Sequence, residues 1–270
     1  MRERGYEYGE HYVTVPRGGE GRTESYSELV ADLVKAHVNV IVAGGPTLPA
    51  IMQATSTIPV VMVGGALDPV KEGFAQTLGQ PGQNVTGLSI QQVDTTAKRL
   101  EILKEVIPAA IVAALWEPTS RASWQAAEAA AIARGWKIIS LEVRDQRGIA
   151  HAFKTAVAQN AGALLVIGGG RLFGQRQQVV DLAAAHKLPA MYSLRQFVDQ
   201  GGLMSYAANL VDSWRRAAVF VDRILKGSKP ADMPIEQSTK FELVINVKTA
   251  KSMGITIPQT LLLRADELIE

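Results

Sequence analysis

The sequence predicts an α/β protein of two doubly wound, parallel-sheet lobes, and three observations carry that expectation. A helix end, an apolar run and a glycine turn occur in the same order twice, at Leu33 to Gly45 and at Val157 to Gly170. Each copy is followed by a helix and an apolar-Pro step into another strand, Ile58-Pro59-Val60 in one case and Leu188-Pro189-Ala190 in the other. Continuous apolar runs ended by glycine mark parallel strands covered on both faces by helices, and strict strand-helix alternation from Ala110 to Ser193 is the doubly wound pattern.

Taken in order, His11 to Val15 alternates polar and apolar residues and reads as a short strand ending at Pro16. Thr23 is the expected N-cap of a helix whose apolar face is Tyr26, Leu29, Val30, Leu33 and Val34. Strand Val38 to Val42 follows, then helix Leu48 to Thr55, opened by Pro46 and Thr47, then strand Pro59 to Val63. Asp68 before Pro69 signals a cap for a helix containing Phe74 and Leu78. Gln80 to Ser89 is too rich in turn formers for helix and reads as a passage between lobes.

The second half continues with helix Thr95 to Val106, strand Ala110 to Leu115 and the Ala-rich helix Ala122 to Arg134, stopped by Gly135. Next come strand Trp136 to Val143, helix His151 to Gln159, strand Ala163 to Ile167, helix Phe173 to Ala185 and strand Ala190 to Ser193. Gln200-Gly201-Gly202 breaks the alternation before helix Val211 to Leu225, whose inward face is expected to be Trp214, Ala218, Val221 and Leu225. Strand Phe241 to Asn246 and helix Lys248 to Met253 return the chain to a lobe.

Composition narrows the function. The 270 residues are 47% hydrophobic, enough for a sizeable core in one or two domains. Lys and Arg (28) nearly balance Asp and Glu (26) and are dispersed, so there is no footprint for nucleic acid or an anionic membrane. With no cysteine, disulfides and thiolate chemistry are excluded. The longest apolar runs, such as Ala109 to Trp116, fall far short of the roughly 20 residues that span a bilayer.

Fingerprints of catalysis fail on counting. Gly169 and Gly174 have the P-loop interval, but Gln175-Arg176 stands where Lys-Ser/Thr would contact phosphate; a dinucleotide turn from Gly168 and Gly170 would need glycine at Phe173. His11, His37, His151 and His186 form no metal-ligand spacing, and His37 and His186 read as equivalent helix ends. No Gly-x-Ser-x-Gly is present. Catalytic residues, metal and cofactors are all expected to be none.

Four stretches carry a resemblance: Gln80 to Ser89, Gly201 to Tyr206, Arg215 to Gly227 and Lys240 to Asn246. Together, in this order, they resemble the substrate-binding proteins of ABC transporters, in the type I periplasmic-binding-fold group that includes tryptophan- and tyrosine-binding members. The resemblance runs from about Tyr6 to Glu270. It implies two lobes joined by a three-segment hinge with a small ligand clamped between them: residues 1–87 with 206–239, and residues 88–205 with 240–270. Gly87, Gly201 and Gly202 suit the hinge, where backbone must rotate. The implied protein is not an enzyme but the solute-binding component of an import system, with a membrane permease as partner and a periplasmic or extracellular location. Relatives begin with an export signal and a further strand and helix that are missing before Tyr6 here, so lobe one is expected to lack its first strand. A cytosolic sensor or an enzyme on the same frame is the alternative.

In open α/β sheets ligands sit beyond the C-terminal strand ends. That rule selects Gly44, Gly45, Pro46 and Thr47, whose N–H groups and hydroxyl suit a carboxylate, and Asp68, which suits an ammonium. In the second lobe it selects Trp116, Glu117 and Thr119, then Arg171 and Phe173, then Tyr192, with Ser205 and Tyr206 at the second crossing. Trp116, Phe173 and Tyr192 are expected to provide stacking surface for an amino acid or an aromatic or aliphatic acid.

Overall fold

The computed structural model describes residues 1–19, 22–64, 68–90, 92–108, 111–238 and 240–270, with Thr23, Gln92 and Asp94 described by their backbone. The expected strand start at Ala110, the cap by the Thr23 side chain and Thr239 at a lobe limit lie outside that description. Two compact units are present, Met1–Ile90 with Asn209–Ser238 and Gln91–Ala208 with Thr239–Glu270.

In chain order the first unit contributes α1 (Tyr26–Lys35), β1 (Ile41–Gly44), α2 (Leu48–Ala54), β2 (Val60–Val63) and β3 (Val85–Ser89). The second runs through α3 (Gln92–Val106), β4 (Ile111–Trp116), α4 (Arg121–Ala133), β5 (Ile138–Glu142), α5 (Gln146–Ala158), β6 (Ala161–Val166), α6 (Gly170–Gly174), α7 (Arg176–Ala185), β7 (Ala190–Tyr192), α8 (Arg195–Val198) and β8 (Met204–Ala208). The chain returns to the first unit for α9 (Leu210–Leu225) and β9 (Ile235–Gln237). It ends in the second with β10 (Phe241–Asn246), α10 (Val247–Ser252), α11 (Gln259–Leu262) and β11 (Glu267–Ile269).

The second unit is a seven-stranded sheet ordered β11-β10-β8-β7-β6-β4-β5. It is parallel except that β10 runs antiparallel to β8, with β11 alongside β10. Alternation along each strand sends one set of side chains to each face. Val112, Ala114 and Trp116 join Ala163, Leu165 and Ile167 on the face packed with Leu100, Leu103, Ala127 and Ala131 of α3 and α4. Ala113, Leu115, Leu164 and Val166 pack with Phe153, Val179 and Phe197 from the helices of the other face. Both faces being covered explains why these strands read as unbroken apolar runs.

The first unit is a four-stranded parallel sheet, β1-β2-β3-β9. Here the structure corrects several expectations. His11 to Val15 is not a strand: the β-type pairing of this stretch is one isolated bridge, Tyr8 to Tyr12, and Val13 is exposed, because an alternating segment needs a neighbouring ladder to complete its hydrogen bonds. β1 starts at Ile41 instead of Val38, since α1 ends at Lys35 with Ala36 as its C-cap and His37 turns the chain in a left-handed conformation (φ 50°). The position equivalent to His37 is Lys187 (φ 51°), not His186, which caps α7 and stacks on Phe153. No helix follows Asp68; residues Pro69 to Gly73 form turns, with left-handed Gly73. Part of the supposed linker is strand, for Val85 to Ser89 is buried throughout as β3.

The inward face of α9 differs too. Ser213, Ala217, Phe220 and Ile224 are buried, with Ala217, Phe220 and Ile224 against Val61, Val63 and Leu88, whereas Trp214 and Leu225 are exposed. Both stripes follow three-four spacing, so periodicity alone did not separate them. The sheet takes the stripe with Phe220, and of the expected face Val221 also packs, partly buried, against the same cluster.

Asp222 of α9 binds the N-terminal segment: Tyr6 Oη donates to its Oδ1 at 3.0 Å, Arg4 Nη1 lies 3.4 Å from Oδ2, and Lys226 Nζ lies 2.8 Å from Oδ1. Hydrogen bonding from Lys226, then from Tyr6 and Arg4, holds its carboxyl below the usual carboxylate range. A depressed carboxylate stabilises the fold above its unfolded pKa, and that contribution is lost as pH falls through the folded value. The Arg4–Tyr6 segment should therefore gain protease sensitivity and faster amide exchange as pH drops below about 4, and Asp222→Asn should produce the same release at pH 7. Equal protection of the segment in the variant and the parent would contradict this.

Candidate functional site

In each unit the turns that follow the C-terminal strand ends carry the candidate residues. In the first, β1 runs into a tight 3-10 turn, Gly45–Thr47, and then α2. Thr47 Oγ1 donates to Gly44 O at 2.7 Å, closing the turn, while Gly45 is buried and Pro46 and Thr47 are half-buried. Asp68 is occupied locally: Oδ1 accepts from Val70 N (3.0 Å) and Lys71 N (3.3 Å), and Oδ2 lies 3.7 Å from Lys71 Nζ. It acts as a turn cap.

Gly87 was expected at a hinge. Instead it lies within β3 at φ 119°, where an added Cβ would fall 2.3 Å from Met62 O on β2. Close strand approach explains this glycine. Gly201 (φ 98°) and Gly202 lie inside the second unit, in the turn between α8 and β8. A side chain at Gly202 would meet the Tyr192 ring at 2.5 Å and Phe197 O at 2.7 Å.

The second unit concentrates buried polar groups at its strand ends. Glu117 follows β4 and is 2% exposed. Its Oε2 accepts from Arg171 N at 3.3 Å, at the start of α6. Among the described residues, its Oε1 has no hydrogen-bond partner. Burial pushes the Glu117 carboxyl above the usual range; hydrogen bonds from Arg171 and Leu172 N–H and the Arg171 charge pull it back. Glycine at position 169 makes room for it, because a Cβ there would lie 1.5 Å from Oε1. Ser193 after β7 and Ser205 on β8 are also buried, each with a hydroxyl that has no partner among the described residues. Native proteins satisfy most buried polar atoms, so several open ones at one sheet edge point to a place for further polar contacts.

The aromatic candidates divide. Trp116 turns into the core: Nε1 donates to Ser140 Oγ at 2.8 Å, the ring stacks on Trp124 at 5.9 Å, and Arg121 lies over it at 5.2 Å. Tyr192 is 1% exposed and stacks on Phe197 at 5.0 Å, with burial raising its phenol well above the ordinary value. Both rings are packed by their neighbours. Phe173 is half-buried with the Arg176 guanidinium 5.0 Å over its ring, Tyr206 is half-buried against Phe241 at 5.7 Å, and Thr119 is exposed. Thus Glu117 and Arg171 are brought together, as are Tyr192 and Ser205, which face each other in the β7–β8 register.

One residue at this edge escaped the sequence reading. Arg99 of α3 is 1% exposed, donates Nε–H to Tyr206 O at 2.7 Å and contacts Thr96 Oγ1 at 3.3 Å, and has no carboxylate partner among the described residues. Burial lowers its guanidinium to about 10, opposed by Tyr206, so it stays charged at neutral pH. The signal was present: Thr96, Arg99, Leu103 and Val106 share the inward spacing of α3, and a charge at an inward position is unusual.

An open depression of about 460 Å³ lined by Ile111, Trp136 and Lys137 lies at the opposite, N-terminal ends of β4 and β5, away from these groups. Among the described residues no cluster of His, Asp or Glu is placed to hold a metal, and no helix is long and apolar enough to cross a membrane.

Comparison with known proteins agrees with the two-unit α/β architecture. A structure of a domain in complex with L-Trp from Streptococcus pneumonia is similar at TM-score 0.90 and 26% identity, over 99% of this chain and 91% of that one. A conserved domain protein from Vibrio cholerae is similar at TM-score 0.91 and 24% identity, over 99% and 90%. A tyrosine-binding protein of Clostridioides difficile is 22% identical over 94% of this chain and 74% of its own length. The fold is that of the two-lobed type I periplasmic binding proteins. The model of the family described as ABC transporter substrate binding protein matches residues 1–269, and the chain belongs to that family.

Proposed function

We propose that the protein is the solute receptor of an ABC import system, capturing an amino acid or a related aromatic or aliphatic acid and presenting it to a membrane permease from the periplasmic or extracellular side. Family membership supports a binding role over catalysis, and two relatives are described as binding tyrosine and L-Trp. The observation that carries the reading is the group of buried, open polar atoms at the strand ends of the second unit, Glu117 Oε1, Ser193 Oγ and Ser205 Oγ. The Gly45–Thr47 turn is the corresponding candidate in the first unit. Trp116 and Tyr192 then support the site from behind, while Phe173, Tyr206, Arg171 and Thr119 remain candidates for contact.

A thermal-shift screen against the amino acids and aromatic acids tests this. A ligand at about 100 times its dissociation constant adds roughly 2.7 kcal/mol of stability, which raises the melting point of a chain this size by several degrees. A flat response across the screen would sink the receptor reading.

A further inference from the structure

We propose that the open edge of β1 is a docking surface for a second copy of this chain, the two β1 strands pairing antiparallel about a twofold axis. Among the described residues the two sheets have four edge strands. Edges are ordinarily guarded by charge, proline or shortness, because their unpaired main-chain groups invite another strand. β5 is preceded by Lys137 and ends on Glu142, β9 is three residues centred on Glu236, and β11 is three residues beginning at Glu267. β1 differs: from Val38 to Gly45 the sequence holds neither a charged residue nor a proline. Among the described residues its ladder runs to β2 alone. Ile41 N donates to Pro59 O at 2.9 Å on that side, so by the alternation of a strand Val40, Val42 and Gly44 turn their main-chain groups to the open side.

The side chains beside this edge are uncovered as well. Arg216, on one flank of the buried face of α9, pairs with Glu236 of β9, at the far end of the order β1-β2-β3-β9. The opposite flank therefore lies towards β1, and it carries Trp214, Ala218, Val221 and Leu225, with Trp214 51% and Leu225 43% exposed. Val221 joins Val40 and Val42 as partly buried residues against one cluster. Strand pairing alone falls short of the roughly 800 Å² per partner that a stable complex buries. The α9 stripe is the adjoining apolar area a partner can cover, and Trp is a residue type that anchors such contacts.

The charge pattern selects an identical strand. A twofold contact sets the same patch against itself, and a neutral strand meets its copy without opposing like charges. With the axis at Val42, that residue pairs with its own copy and Val40 pairs with Gly44 of the second copy, each pair exchanging main-chain hydrogen bonds. The chain's own alternating segment, His11 to Val15, leaves the edge free, since its β-type pairing among the described residues is the Tyr8 to Tyr12 bridge.

Sedimentation velocity on the full chain from about 1 to about 200 µM, the range in which a small interface associates, tests this. The parent should pass from monomer to dimer across that range, and amide exchange at Val40 and Val42 should slow as concentration rises. Val42→Pro removes an outward N–H that the ladder to β2 does not use, a change edge strands tolerate. Trp214→Arg charges the stripe and leaves the buried face of α9 intact. Each should weaken association by about tenfold or more, and Ile132→Arg, at a residue 72% exposed in the second unit, should leave it unaltered. Where melting shows the proline variant to be unfolded, Trp214→Arg decides alone. A dimer that the folded variants do not weaken would place the interface elsewhere and overturn the proposal. A chain monomeric throughout would overturn it too: slow exchange at every concentration would then assign the edge to a strand of the same chain, and fast exchange would leave it uncovered.

Discussion

Gly87→Ala is expected to destabilise the first unit by about 2 to 6 kcal/mol, combining backbone strain of roughly 1 to 3 with a comparable overpacking cost. The position has φ 119°, and a methyl group would sit 2.3 Å from Met62 O and 2.7 Å from Met62 N. Neither atom can yield without pulling β2 away from β3, where Met62 faces Gly87 in the parallel register. Gly73→Ala is the matched control, because its φ of 75° imposes strain but nothing lies within 4 Å of the added Cβ. Urea unfolding followed by Trp214, which lies on α9 of the first unit, reads the difference; the other three tryptophans, Trp116, Trp124 and Trp136, are in the second and would be replaced by phenylalanine. Equal midpoints for the two alanine variants would show that the strand spacing is softer than the geometry implies.

Arg99→Ala should cost the second unit about 3 to 5 kcal/mol, the range for emptying a large buried site. Arg99→Met should cost only about 1 to 2 kcal/mol, because it restores most of the volume and removes a desolvated charge while leaving Tyr206 O without its donor. The contrast matters because Arg99 is fully buried and has no carboxylate partner among the described residues, so its charge is held at a cost. Equal losses in the two variants, measured by urea unfolding, would assign the stability to the Tyr206 hydrogen bond instead of to packing.

Most of the second unit was legible because its determinants are local. β4, β6 and β7 are apolar runs bounded by turn residues and Gly135 stops α4 in a left-handed conformation (φ 64°), but the start of α5 was missed: it begins at Gln146 and not at the expected His151, capped by Asp145, which accepts from Gly148 N at 2.8 Å. The strand-end rule also reached Glu117 and Arg171. It reached Trp116 and Tyr192 as well, but which way those rings turn depends on strand parity and on the helices that cover each face, which bury both.

β3 shows the opposite case. Its glycine and the turn formers before it look like linker, and only the approach of β2 explains why a buried central strand should contain Gly87. The Glu117–Gly169 fit joins residues 52 positions apart, neither of which is informative alone. In α9 two stripes had the same spacing, and the choice between them fell to the sheet that Ala217, Phe220 and Ile224 pack against. Hydrophobic periodicity and turn chemistry, which are written along the chain, were enough for the α/β class and for most elements of the second unit, while the family came from the resemblance carried by four stretches. The identity of the buried faces, the role of each glycine and the open carboxylate oxygen were settled only by packing, since each depends on atoms brought close from distant parts of the sequence.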